Sequence, residues 1–407
     1  MASDTTMPRK RIIIHYDEIA LKGGRRHQFE EQLVSNLNDW ARAKDIPLRA
    51  RRAWGRIFLD EIGDGLSATA EENVRRALRL FPGVASFGFV RITPKDMEAL
   101  LTLAPEMADL VTDGTFRVTA RRTDKRFPLK SFEVERAFAA AMFRARGSEL
   151  KAAMRDYDRE VHIEILQDEI VVYVKEPGIG GLAVGSSSRA VALLSAGFDS
   201  PVAAFLMMKR GVRVMPLHFH SAPQTSDEPI EAARDLCQRL SEIQGRLKLA
   251  LAPVIDIQRH IEAQAPESLR IVLLRRAFMR LACAWARRTG AKALITGESV
   301  GQVASQTLEN MLVIDHAATL PVLRPLAGLN KREIINLART IGTEAISARP
   351  CEDTCALFLP RAPETRARLD RTLAVEEKLD LAPLEAAVLE NLELVRFHFG
   401  QEAESET

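Results

Sequence analysis

The chain alternates short apolar runs with longer amphipathic stretches over its 407 residues. The most informative junction is Val191-Ala-Leu-Leu, whose four apolar residues predict a buried parallel strand, running into Ser195-Ala-Gly-Phe-Asp-Ser and then Pro201. Pro201 suits the first turn of a helix, and Val202, Phe205 and Leu206 give that helix one apolar face. Gly211 can end it, and Val212 to His220 predicts a second strand that completes a βαβ unit. The stretch Ala293 to Gln306 repeats the plan: a strand, a turn rich in Gly and Ser, then a helix.

Earlier in the chain the periodicities are mixed. A strand is predicted at Arg11 to His15, a helix from about Arg25 to Ala43, and strands at Leu48 to Arg52 and Arg56 to Asp60. Further strands fall at Thr115 to Arg121, His162 to Ile165 and Ile170 to Lys175, with a helix across Phe132 to Arg146. Residues 178–188 hold four glycines and three serines and read as a linker. The expected organisation is a small α+β domain over 1–66, a second domain over 67–175, a doubly wound α/β domain over 176–400 and an acidic tail over 401–407.

The turn after Leu194 carries candidate chemistry. Its small residues let a backbone approach a ligand, and the amides at a helix start, with the hydroxyls of Ser195 and Ser200, suit phosphate oxygens. Asp199 would be repelled by bound phosphates unless a magnesium ion or a substrate proton engaged it, which points to a nucleotide that is turned over. The lysine-containing Walker pattern is absent. Leu193, Leu194, His218 and Phe219 would supply an apolar wall for a base, or strand-end packing.

Composition narrows the class. A hydrophobic content of 46% suits two or three cores in a chain this long. The net charge of +2 hides an uneven distribution: residues 1–56 hold 12 Lys/Arg against 7 Asp/Glu, and residues 117–130 hold 6 against 1. Such local surpluses suit phosphates along a folded RNA. No run reaches the length of a membrane span and no signal-peptide core is present, so a cytoplasmic protein is expected. The four cysteines, at 237, 283, 351 and 355, form neither a disulfide scaffold nor a zinc pattern, and no metal site is expected from the histidines.

Taken in order, these segments resemble the tRNA 4-thiouridine synthetases, or tRNA sulfurtransferases. The likeness rests on Asp17 to Gly24, Arg121 to Pro128, Gly180 to Gly185, the loop at 195–200, His218 to Ser221, Ile295 to Thr307, Arg324-Pro-Leu326, Lys331 and Glu352 to Cys355. It implies a ferredoxin-like leader, a THUMP domain and a PP-loop ATP pyrophosphatase domain that adenylates uridine 8 of tRNA before sulfur displaces AMP. By position, Leu193, Leu194, Ser195, Gly197, Ser200, His218, Phe219, Arg275, Gly297 and Gln306 would hold ATP. Asp199 and Lys331 would serve adenylation, and Cys355 sulfur transfer. On the residues alone, Lys331 reads equally well as a solvated lysine at a helix start. Lys22, Arg25, Arg26, Arg121, Arg122, Lys125 and Arg126 are the candidates for tRNA contact. ATP and Mg2+ are the implied cofactors, tRNA the implied partner, and a homodimer the implied assembly.

The sequence departs from the family in two places. Ala196 stands where a glycine is usual, and a methyl group there would crowd a backbone of positive φ. No cysteine follows Cys355, whereas some relatives carry their persulfide on the cysteine of an appended rhodanese domain. Sulfur is therefore expected from a cysteine desulfurase or an external persulfide carrier, with Cys351 as a resolving thiol or an inert buried one. Some relatives bind a cluster through Cys-x-x-Cys; the corresponding stretch here is Ile271-Val-Leu-Leu274. Sulfur transfer for the thiazole of thiamine, which the family performs through the rhodanese domain, is not expected. Other readings of the same domains are a different adenylating tRNA modifier and a non-catalytic THUMP RNA-binding protein.

Overall fold

The computed structural model describes residues 11–53, 55–62, 65–350 and 363–403. The chain forms two compact units, Met1–Leu182 and Ala183–Thr407.

The first unit is built on β1 (Arg11–His15), β2 (Leu48–Ala53), β3 (Arg56–Glu61), β4 (Ser86–Pro94), β5 (Thr115–Arg122), β6 (Lys151–Ala152), β7 (Arg159–Ile165) and β8 (Glu169–Pro177). They make one eight-stranded sheet in the order β2-β3-β1-β4-β8-β7-β5-β6. Ile12, Ile13 and Ile14 are all buried, as a central strand covered on both faces requires. The helix Arg26–Ala43 buries Leu33, Leu37 and Trp40 along one stripe. The helix Ser131–Arg146 packs Val134, Phe138 and Met142 with Phe116, Val161 and Ile163 of the sheet.

Strand β4, absent from the sequence reading, joins the two halves of this sheet: it pairs with β1 on one side and β8 on the other, both antiparallel. Gly88 disguises it. A Cβ there would stand 2.1 Å from the Tyr173 ring, so the strand tolerates only glycine at a position that reads as a break. The expected linker also begins differently. Gly178 and Gly180 donate their amides to the Ala85 and Val84 carbonyls at 3.0 and 2.7 Å, which pins this segment to the first unit.

The second unit carries β9 (Arg189–Leu193), β10 (Arg213–His220), β11 (Arg246–Pro253), β12 (Ala293–Ile295), β13 (Val322–Leu323), β14 (Glu393–His398) and β15 (Gln401–Ala403). Their order is β13-β12-β9-β10-β11-β14-β15. The first five are parallel, as the doubly wound reading requires, while β14 and β15 add antiparallel. The helices Ile255–Gln264 and Arg270–Thr289 pack on this sheet in an aliphatic core that includes Val191, Leu217, Ala250 and Leu294. Cys237 and Cys283 are buried within this unit, and burial pushes the Cys237 thiol well up.

The start of the expected acidic tail is instead an edge strand. Phe399 and Gly400 both have positive φ, at 45° and 84°, and form a two-residue turn that folds Gln401–Ala403 back on β14. Phe-Gly lacks the Asn or Asp that usually marks such a turn, which is why the hairpin is hard to read in sequence.

Strand order fixes where a ligand can sit. From β9 the chain proceeds to β10 and β11 on one side, then crosses to β12 on the other, so the crevice beyond the carboxyl ends of β9 and β12 is the topological switch point.

Candidate active site

The loop leaving β9 is held by its own serines. The Ser195 amide donates to Ser200 Oγ at 2.8 Å, and the Ser200 hydroxyl donates back to the Ser195 carbonyl at 3.0 Å. Ala196 is not among the residues of positive φ, so its methyl group meets no backbone penalty and the sequence concern over this position lapses. Gly197 is likewise outside the positive-φ region, and a Cβ there would only touch Ser195 Oγ at 3.6 Å. The folded loop itself does not require a glycine at 197.

The loop leaving β12 presses against the first. A Cβ at Gly297 would lie 2.7 Å from the Ser200 amide nitrogen and 2.8 Å from the Asp199 carbonyl carbon. Glycine is therefore what lets the two turns meet.

Between them lies a cavity of about 440 Å³, in the size range of small-molecule sites. The ten residues expected at a nucleotide all line it: Leu193, Leu194, Ser195, Gly197, Ser200, His218, Phe219, Arg275, Gly297 and Gln306. His218 donates Nδ1–H to the Leu194 carbonyl at 2.9 Å, which fixes the ring against β9. Phe219 stacks on Phe278, with ring centroids 4.1 Å apart and planes 8° from parallel. That pair gives one wall an aromatic slab suited to a purine.

Asp199 also lines the cavity and opens the helix Asp199–Lys209. Its Oδ1 accepts from Lys331 Nζ at 2.7 Å and its Oδ2 from Gln302 Nε2 at 2.9 Å. Lys331 is the first residue of the helix Lys331–Ile341, capped by Asn330, and its ammonium lies 5.4 Å from the centre of the Phe198 ring. The lysine is thus engaged at the loop, where its position alone reads equally well as a solvated side chain.

Among the lining residues that were not anticipated are Glu298, Gln302, Thr296 and Phe278. Glu298 and Gln302 lie inside the motif Ile295 to Thr307, so the signal was present but gave them no separate role. Cys351 and Cys355 lie outside the described residues. Ile271 to Leu274, where a cluster motif would stand, are buried aliphatic side chains.

In the first unit, Arg26, Arg121 and Arg122 line a common cavity of about 330 Å³ with His15, Tyr16 and Arg56. The candidates differ in how they are held. Arg26 donates to Glu30 Oε1 at 2.8 Å and Arg122 to the Leu129 carbonyl at 2.9 Å, so each is partly structural. Arg126 pairs with Asp124 at 3.0 Å, while Lys22 lies 5.3 Å from the Phe29 ring centre. Arg25, Arg121 and Lys125 are exposed. In the lining of this cavity Arg56 is paired with Glu164, which also lies 3.2 Å from His15 Nε2. Burial alone would raise the Glu164 pKa, but the His15 hydrogen bond and the Arg56 charge outweigh it and hold the group at about 2.

An α/β domain with a loop-built cavity at its switch point, in one chain with an α+β unit that lines a cavity with Arg26, Arg56, Arg121 and Arg122, has the architecture of a nucleotide-using enzyme. Comparison with known proteins makes this specific. Residues 185–381 match the family model described as "Thiamine biosynthesis protein (ThiI)", residues 11–88 its ferredoxin-like domain and residues 94–175 the THUMP domain. A "Probable tRNA sulfurtransferase" of Moorella thermoacetica is 42% identical over 385 residues, covering 94% of this chain and 97% of the relative. One of the same name from Halothermothrix orenii is 41% identical and covers 96% and 100%. Among solved structures, a 4-thiouridine synthetase in complex with RNA and bound ATP superposes with a TM-score of 0.83 at 32% identity, covering 95% of this chain and 99% of that one. The chain belongs to the tRNA sulfurtransferase family.

No helix among the described residues is long and apolar enough to cross a membrane, and no cluster of three or more metal-ligating side chains occurs among them.

Proposed function

We propose that this enzyme thiolates tRNA with ATP by adenylating uridine 8 in the cavity between the 195–200 and 297–306 loops, then replacing its O4 with sulfur to give 4-thiouridine. One observation carries the reading. Residues from four separate segments, each expected at ATP, converge on one cavity at the switch point, with the Asp199–Lys331 pair at its edge.

The chemistry follows from those groups. Uridine O4 attacks the α-phosphorus and pyrophosphate leaves, which turns a poor leaving group into AMP. Loop amides, Lys331 and Arg275 would meet the negative charge that grows on phosphate oxygens. Mg2+ fits the same place: Asp199 offers hard oxygen ligands beside the phosphate path, and a bound ion would supply further charge neutralisation.

In the second half-reaction a persulfide on Cys355 attacks C4 and AMP departs, leaving a disulfide between Cys355 and the base. Cys351 then attacks the Cys355 sulfur, which releases 4-thiouridine and forms an internal disulfide that an external thiol reduces. A cysteine desulfurase or a persulfide carrier reloads Cys355. The basic cavity of the first unit and the exposed Arg25, Arg121 and Lys125 would grip tRNA phosphates, in a cytoplasmic homodimer.

The test is nucleoside mass spectrometry of unmodified tRNA incubated with the full chain, ATP, magnesium, a cysteine desulfurase and cysteine, beside C355S. Formation of 4-thiouridine by the wild type alone is expected. ATP consumption on tRNA without thiouridine from either protein would leave adenylation standing and overturn the sulfur assignment.

A further inference from the structure

Glu298 is out of character for the wall of an anion site. Its carboxylate borders the cavity proposed for a polyphosphate, yet the residue is only 3% exposed. Left alone there, a carboxylate would repel the ligand and lose its own hydration.

Its contacts resolve the contradiction. Oε2 accepts from the Thr296 hydroxyl at 2.9 Å and from Arg324 Nε at 2.7 Å. Oε1 accepts from Arg275 Nη1 at 3.2 Å. Arg324 turns its two remaining nitrogens to Asp315, at 2.8 and 2.5 Å. The result is a string of alternating charge, Asp315–Arg324–Glu298–Arg275, in which two carboxylates balance two guanidinium groups.

The string has an anchored end and a working end. Arg324 follows β13 and is clamped on both sides, whereas Arg275, among the described residues, has a single long bond to Glu298 and a buried Nε with no hydrogen-bond partner. The next turn of the same helix adds only apolar Phe278 and Met279 to the lining. Among the described residues, Glu298 is the hydrogen-bond partner that sets the direction of the Arg275 guanidinium. We infer that Glu298, backed by Arg324 and Asp315, is a positioning residue that aims the Arg275 guanidinium at the phosphates of a nucleoside triphosphate. The inference rests on the nucleotide reading of this cavity.

If Glu298 acts through Arg275, its loss matters only while Arg275 is present. Titration calorimetry of ATP into the full-length protein, with magnesium and again in chelator, measures this for the wild type, E298Q, R275M and the double variant. The expected result is a roughly tenfold weaker affinity for E298Q, with the double variant no weaker than R275M within about twofold. The effect persists in chelator. Should E298Q not fold, T296V and D315N, each alone and with R275M, test the same string at its edges, with an expected loss of about threefold that vanishes beside R275M.

Fold-losses that multiply in the double variant, or an E298Q affinity equal to wild type, would overturn the inference while leaving the nucleotide reading intact. A deficit seen only with magnesium would also overturn it, because Glu298 would then act on the metal. No ATP binding by the wild type would sink both readings.

Discussion

Lys331 Nζ lies 2.7 Å from Asp199 Oδ1, so a cation and a carboxylate 132 residues apart in the chain neutralise one another at the start of a helix. The pair is not a stability device. Lys331 is 45% exposed and Asp199 20%, and partly solvated pairs of this kind contribute little to folding. Under the proposed adenylation, both charges would stand where a phosphate is worked on. K331M is expected to keep its melting temperature within a few degrees and to lose about a hundredfold in ATP–pyrophosphate exchange on tRNA. Exchange at the wild-type rate would remove Lys331 from the adenylation step.

Gly197 and Gly297 make opposite predictions. Among the described residues nothing crowds a Cβ at 197, so G197A is expected to fold as the wild type and lose ATP affinity by about tenfold or more through the ligand alone. At 297 the same methyl strikes the Ser200 amide, so G297A is expected to lose both affinity and thermal stability. Calorimetry and thermal unfolding on both variants separate the two causes, and equal stability losses would contradict the contrast.

The Glu164 network predicts a pH dependence. The Glu164 carboxyl is depressed from 4.5 to about 2 in the folded protein, so its stabilisation is complete above pH 4.5 and is lost as pH falls towards 2. E164Q is expected to flatten this part of the urea-unfolding profile. Removing its partner leaves a buried charge uncompensated, and R56M is expected to cost about 3–5 kcal/mol at neutral pH. An unchanged acid limb in E164Q would contradict the assignment.

The first unit's cations should separate by how they are held. Exposed Arg121 and Lys125 are expected to act on phosphates alone. R121Q and K125Q should therefore weaken tRNA binding across sequences and each lower the salt slope by about one, with unfolding unaltered. Arg122 is bonded to the Phe127 and Leu129 carbonyls, so R122Q is expected to lower the melting temperature as well. Fluorescence anisotropy over a salt series, with thermal scans, checks both.

Much of the site was legible because chain motifs and strand ends coincide. The apolar run at 191–194, the small-residue turn and Pro201 specify a strand, a loop and a helix locally, and the second turn at 296–303 repeats the signal. What escaped was long-range. Arg324 and Glu298 are 26 residues apart and belong to no shared periodicity, so their bond cannot be anticipated from spacing. Strand β4 was hidden by Gly88, whose need for space is set by Tyr173 on a distant strand. The antiparallel β14 follows a helix rather than a hairpin signal, and the Phe399-Gly400 turn that leads into β15 lacks the usual residue types.

The pairing of β4 with β8 means that the leader and the THUMP segment are not separable parts. A fragment ending near residue 88 would strand β1 beside half a partner, and one beginning at 94 would leave β8 with a bare row of amides and carbonyls. Either piece, produced alone, should stack on copies of itself. The eight-stranded sheet has to be cut and grafted as a single block.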